Sequence, residues 1–143
     1  KFLIKFPDDP KIFESPHSLA MMFSNDKDEK YLLNTLRVNK RTQDADQIIE
    51  ECIKKALSGK LNDQKGQSLG KVEMISKKIE TEMYGKVLTI NAKLTDSSEK
   101  QSYFIKSKFV ITQNNVYSLW VCETNESNTN QFIDSFALDN LYE

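Results

Sequence analysis

The sequence predicts an α+β fold, a central antiparallel sheet of about six or seven strands with helices on its faces. Three observations predict it. Short runs of alternating or β-branched residues recur along the chain, bounded by turn residues. Most neighbouring runs are joined by hairpin-length connections, which make strands antiparallel. Only two segments carry the 3.6-residue periodicity of a helix.

The elements follow in order. Phe2, Ile4 and Phe6 alternate with Leu3 and Lys5 until Pro7 removes a backbone donor, so the chain opens on a short strand with edge character. Two more short strands follow, separated by Ser15-Pro16. A polar turn over Ser24 to Lys30 leads into a strand with Leu32, Asn34, Leu36 and Val38 on one face and Tyr31 and Leu33 starting the other. Residues 43 to 58 form the best helix, because Ala45, Ile48, Ile49, Cys52, Ile53, Ala56 and Leu57 repeat at helical spacing. Asp44 and Gln47 suit its start, since a side-chain oxygen can accept an amide that lacks a helical partner, and Gly59 suits its stop. Its apolar stripe needs a sheet to lie on.

A loop holding three of the four glycines follows, and then strands rich in β-branched residues. Lys71 to Glu82 is one; Tyr84-Gly85-Lys86 turns it; in the next, Leu88, Ile90, Ala92 and Leu94 face inward and Val87, Thr89, Asn91 and Lys93 outward. After a hairpin loop at residues 95–101, Tyr103 to Thr112 is a long strand, turned back at Gln113 to Asn115. In the last long strand Tyr117, Leu119 and Val121 share one face and Val116, Trp120 and Cys122 the other. Apolar residues on both faces mean that it is covered on both sides and central. A short helix with Phe132, Ile133 and Phe136 closes over one face.

The 143 residues suit one domain, 1–143, and a chain of this length buries enough surface to fold without a metal or disulfide staple. The net charge is −1, and the basic residues are 18 lysines and only two arginines, Arg37 and Arg41. Arginine is the residue best suited to bidentate phosphate and base-edge contacts, so its scarcity speaks against nucleic acid. No run approaches the ~20 apolar residues of a membrane span. Two cysteines, Cys52 and Cys122, fall in apolar patterns and read as small buried residues rather than a disulfide.

The motifs of catalysis and metal binding are sparse. His17 is the sole histidine, too few for a three-histidine metal site, and neither HExxH nor CxxC spacing occurs. A Cys-His pair would need His17 near Cys52 or Cys122, both on expected buried faces. Asp26, Asp28 and Glu29 look like the start of a calcium loop, but Tyr31 stands where glycine is needed and Arg37 where a bidentate glutamate is needed, so this is a solvated turn. Asn125-Glu126-Ser127 matches a glycosylation acceptor, a pattern short enough to arise by chance. The densest basic patch is Arg37 to Arg41; Arg37, Lys40 and Arg41 are its candidate contacts for a phosphate or an acidic partner. No catalytic, cofactor-binding or metal-ligating residue is expected.

Three short motifs carry a resemblance. Phe6-Pro7-x-x-Pro10 closes the first strand, Asn115-Val116-Tyr117-x-Leu119 starts the last long strand, and Phe132-x-x-Ser135-Phe136-x-Leu138 ends the terminal helix. Together they resemble the PsbP-like family, named for an extrinsic photosystem II subunit, whose fold is shared by a Ran-binding nuclear transport factor and small bacterial exported proteins and lipoproteins. The resemblance implies an αβα sandwich with helices on both faces of the sheet, and a binding, assembly or accessory role without a family active site to carry over. It does not imply the photosystem role.

The expectation is therefore a non-catalytic binding or accessory domain of a bacterial exported protein or lipoprotein, extracytoplasmic, acting on a protein partner through an exposed sheet edge or loop surface. It is compatible with a lipid anchor upstream of Lys1. One alternative is a small-ligand carrier with Tyr84, Tyr103, Phe104, Tyr117 and Trp120 lining a pocket. The other is a hydrolase using His17 with carboxylates, which requires His17 to share a cleft with a Ser, Cys or Asp.

Overall fold

The computed structural model describes residues 2–27, 29–38, 45–57, 70–96 and 102–138. Among them the elements run β1 (Phe2–Leu3), β2 (Lys11–Ser15), β3 (Ser18–Ser24), β4 (Lys30–Arg37), α1 (Ala45–Leu57), β5 (Gly70–Glu82), β6 (Gly85–Asp96), β7 (Ser102–Ile111), β8 (Asn115–Glu123), α2 (Glu126–Asp134) and β9 (Ala137–Leu138). Seven strands form one antiparallel sheet in the order β2-β3-β4-β8-β7-β6-β5, and β1 pairs with β9 in a separate two-stranded sheet.

Tight turns set the register. Ser15 pairs with Ser18 around Pro16-His17, and Glu82 pairs with Gly85 around Met83-Tyr84. Between β7 and β8, Thr112 N–H donates to the Asn115 carbonyl at 2.9 Å and Thr112 Oγ1 accepts from Asn115 N–H at 3.1 Å. β8 lies fourth of the seven strands, the central place that its two apolar faces predict.

Alternation divides the core between the faces. On one face Tyr31, Leu33, Val87, Val110, Tyr117, Leu119 and Val121 pack against Phe132, Ile133 and Phe136, with Phe2, Ile4 and Phe6 added at the flank. On the other, Ile48 and Ile49 of α1 pack on Leu88, Ile90, Phe109, Ile111 and Val116. Ala92, Leu94, Tyr103, Ile105 and Cys122 continue that second face beside Trp120. One row across it reads Lys11, Met22, Leu32, Trp120, Ser107, Ile90. Ser107 is wholly buried opposite Trp120, and a small side chain there leaves room for the indole.

The αβα sandwich is not what forms. Among the described residues the fold is mostly β, with two short helices and no helical layers. The physical reason is size. Helices of 13 and 9 residues cannot cover a sheet whose β5, β6 and β7 are 13, 12 and 10 residues long. An α-helix rises 1.5 Å per residue against about 3.3 Å for a strand. Part of one face is sealed by the β1–β9 ribbon and the segment after β1, through Phe2, Ile4, Phe6 and Leu138. The antiparallel sheet itself matches the sequence expectation.

Smaller differences have similar causes. The opening strand keeps its inward Phe2, Ile4 and Phe6, but only Phe2 and Leu3 are paired. Val87, expected outward, is buried on the α2 face, because β6 also has cover on both sides. Helix α1 runs from Ala45 to Leu57 inside the expected span; Asp44, Gly59 and the side chains of Ala45, Cys52, Ala56 and Leu57 lie outside the described residues.

Candidate functional site

Two surfaces and one buried cluster hold the polar groups that the core does not explain. The buried cluster sits where the β3–β4 turn meets the β8–α2 junction. Glu29 is 5 % exposed and Glu123 4 %. Both continue inward parities, Glu29 with Tyr31 and Leu33, and Glu123 with Leu119 and Val121. Glu29 Oε2 accepts from Thr124 N–H at 3.0 Å and from Thr124 Oγ1 at 2.7 Å, and Oε1 accepts from Asn25 Nδ2 at 2.9 Å. Asn25 in turn shapes the turn, since its Oδ1 accepts from the N–H groups of Lys27 and Glu29. Tyr31 Oη donates to Glu123 Oε2. The two carboxyl groups hydrogen-bond to each other, and Asn128 of α2 bonds to Glu123.

Two buried carboxyls in contact cannot both ionise cheaply, so one keeps the proton. Burial pushes Glu29 up, but bonds from Glu123, Thr124 and Asn25 outweigh it and hold its pKa at about 2. Glu123 is pushed above the usual carboxylate range by burial first, then by the bond to Glu29; the bond from Tyr31 opposes this, the Glu29 charge adds to it and the Asn128 bond opposes it slightly. Tyr31 is raised by burial and by its bond to Glu123. Glu29 is thus the member of the pair that ionises first, and Glu123 the one that holds its proton to higher pH.

The first surface is the free edge of the sheet. All five residues of β2 are exposed, among them Ile12 at 55 % and Phe13 at 57 %. Because Ser15 and Ser18 close a two-residue turn as a hydrogen-bonded pair, Phe13 and Lys11 also bond inward to β3, while the backbones of Ile12 and Glu14 point outward. Beside this edge a groove of about 620 Å³ is lined by Phe13, Met22, Leu32 and Trp120, with Asp9, Lys11 and Lys30 also bordering it.

The second surface adjoins the same hairpin. Arg37 ends β4; its N–H donates to the His17 carbonyl at 3.1 Å, and it pairs with Asn115. An open recess of about 520 Å³ brings Arg37 and His17 together with Ser15, Ser18, Asn114 and Glu14. Of the three residues proposed as a basic contact, Arg37 is therefore placed in a recess, and Lys40 and Arg41 lie outside the described residues. The hydroxyls of Ser15 and Ser18 bond to each other.

The other sequence candidates resolve structurally. Asn125 caps α2, its Oδ1 accepting from Ser127 N–H at 2.9 Å. Cys122 is buried in the core of the second face. The five aromatics offered as a pocket lining are divided: Tyr117 and Tyr84 join the α2-side core, half-buried Phe104 lies on that side opposite Glu123, and Tyr103 and Trp120 join the opposite face. The turn at Asn25 to Glu29 is not simply solvated, because Glu29 is buried. Sequence reading missed both glutamates. The available signal was parity: Glu123 is the next inward position after Tyr117, Leu119 and Val121. No cluster of three or more His, Cys, Asp or Glu able to hold a metal forms among the described residues, and no described helix is long and apolar enough to cross a membrane. A scan of protein-family models and a search of curated proteins find no match to the chain.

Proposed function

We propose that the chain is a non-catalytic protein-binding module that accepts an extended segment of its partner along β2. The observation that carries this reading is the β2 edge itself, fully exposed, in unbroken register with β3 and bearing Ile12 and Phe13. A free edge presents unpaired N–H and C=O groups, which is how a sheet takes up an added strand. The opposite edge, β5, suits this less. Its register breaks between Met74 and Ser76, and Lys77 and Lys78 are exposed on it, both devices that discourage strand addition.

The partner's chemistry follows from the neighbouring surfaces. A side chain on one face of the added strand would enter the groove of Phe13, Met22, Leu32 and Trp120. Toward the hairpin, Arg37 and His17 favour an acidic residue. The expected segment is thus extended, apolar in the middle and acidic at one end. The proposed setting is extracytoplasmic, at a bacterial envelope, as the PsbP-like resemblance implies.

A displayed random-peptide library tests the reading. Selected peptides should be apolar-acidic, and should shift the backbone NMR signals of Ile12 and Glu14. Ile12→Pro removes an outward N–H that β3 does not use, so it should keep the fold and lower peptide affinity at least about tenfold. Peptides that bind Ile12→Pro as well as the parent, or that map elsewhere, overturn the proposal. A small apolar molecule that shifts Trp120 and Leu32 but leaves Ile12 untouched would favour a ligand carrier instead.

A further inference from the structure

We propose that the proton held between Glu29 and Glu123 is a pH-sensitive latch that fastens the first turn of α2 to the β3–β4 turn. The groups are drawn from three separate places in the chain. Asn25 and Glu29 belong to the turn, Glu123 ends β8 with Thr124 just after it, and Asn128 lies in the first turn of α2. Among the described residues, no backbone ladder joins the turn to the helix. The side-chain bonds through Glu29 and Glu123 do.

The proton is needed for geometry as well as charge. An ionised carboxylate only accepts hydrogen bonds. With Glu123 protonated, its O–H can donate to Glu29 while Oε2 accepts from Tyr31. When that proton leaves for solvent, two carboxylates face each other in a buried site with no donor between them, and the contact that joined them becomes repulsive. Among the described residues, none supplies a replacement cation. Tyr31 of β4 is neutral and already donates to Glu123. Lys106, on the same face of β7, donates to Asn130 of α2 at 2.9 Å. Lys27 and Glu126 are exposed at the turn and on the helix.

The direction follows from linkage. A carboxyl that binds its proton more tightly in the closed form favours closure at low pH and opening as pH rises. The same α2 turn carries Asn128, which walls a recess of about 510 Å³ with Lys5, Phe6, Pro7, Tyr31 and Phe132. Release of the latch frees that wall.

Hydrogen exchange of the parent protein, with site-specific carboxyl NMR, tests this. Protection of the Asn128 and Thr129 amides, corrected for intrinsic exchange, should fall about tenfold per pH unit from the ordinary carboxylate value up to the Glu123 midpoint, then level off. The Glu123 carboxyl should titrate above that ordinary value. Glu123→Gln, which can donate to Glu29 and accept from Tyr31 at any pH, should remove the dependence. A Glu123 carboxyl that titrates at or below the ordinary value in the parent protein overturns the latch. So does protection that does not change with pH, or an unchanged dependence in Glu123→Gln.

Discussion

Phe6 meets Phe132 edge-on, with 5.1 Å between ring centroids and 67° between planes. Tyr31 meets the same ring from another side, at 5.1 Å and 77°. Beside them Lys5 N–H donates to Ser135 Oγ at 3.0 Å. The segment after β1 therefore holds α2 against the sheet, although it adds no strand to the large sheet. Phe6→Ala removes one of the two rings that clasp Phe132 and should cost about 1–3 kcal/mol, a half-buried aromatic side chain plus its ring contact. Phe6→Leu should recover most of the loss. Urea unfolding followed by the fluorescence of Trp120, the only tryptophan, reads both.

Gly85 cannot be replaced at its turn. Its φ is +150°, and a Cβ there would lie 1.8 Å from the carbonyl oxygen of Ile111 on the neighbouring strand. The obstacle is backbone, so no rotamer change relieves it. Gly85→Ala should lose more than the ~1–3 kcal/mol that a strained φ alone costs, because the β6–β7 ladder must also part. Met83→Ala, two residues earlier and almost fully exposed, should change stability by less than about 0.5 kcal/mol. Equal melting temperatures for the two variants would contradict this account.

What could be read from the sequence was whatever one strand or helix decides alone. Val116, Trp120 and Cys122 opposite Tyr117, Leu119 and Val121 announce a strand covered twice, and β8 is central. The Ile48, Ile49, Ile53 spacing announces α1. Coverage was not legible, since it depends on how far a helix reaches over strands whose neighbours are unknown. That is why the sandwich was expected and a mostly β fold formed. The glutamate pair was hidden for the same reason. Glu29 sits in an acidic run that looks solvated, and its burial depends on Thr124 and Glu123, brought beside it by the β4–β8 pairing. The Arg37–His17 recess likewise needs the β3–β4 pairing to exist.

The same pair sets an acid limb to stability. Glu29 has its folded pKa depressed to about 2, so its contribution is present above the unfolded value near 4.5 and is lost as pH falls from there toward 2. Glu123 acts in the opposite sense, its contribution being complete below the unfolded value and lost as pH rises through its raised folded value. Stability should therefore peak in mildly acidic solution. Glu29→Gln removes the charged member and leaves donors from Thr124 and Asn25 facing an amide that can satisfy only part of them. It should cost about 1–3 kcal/mol near neutrality and flatten the loss between pH 4.5 and 2. Thermal melts across that range check both; an undiminished acid limb in the variant would place its origin in other carboxylates.

Helix α1 offers the sharpest test of how the second face is held. Ile49 is 6 % exposed and rests with Ile48 on Leu88, Ile90, Phe109, Ile111 and Val116. Glu50 and Glu51 point to solvent on the same helix. Ile49→Asp forces a carboxylate into that apolar contact with no cation of the cluster to pair it, which costs several kcal/mol unless the helix leaves the sheet. Leaving exposes Leu88 and Phe109, so departure is itself costly, and the variant should lose about 3–5 kcal/mol by either route. Glu50→Ala should stay within about 0.5 kcal/mol of the parent. Circular dichroism against urea separates the cases. A helix that merely detaches gives an early transition in the helical signal while Trp120 remains in its folded state. A helix that the sheet depends on gives one shared transition at lower denaturant.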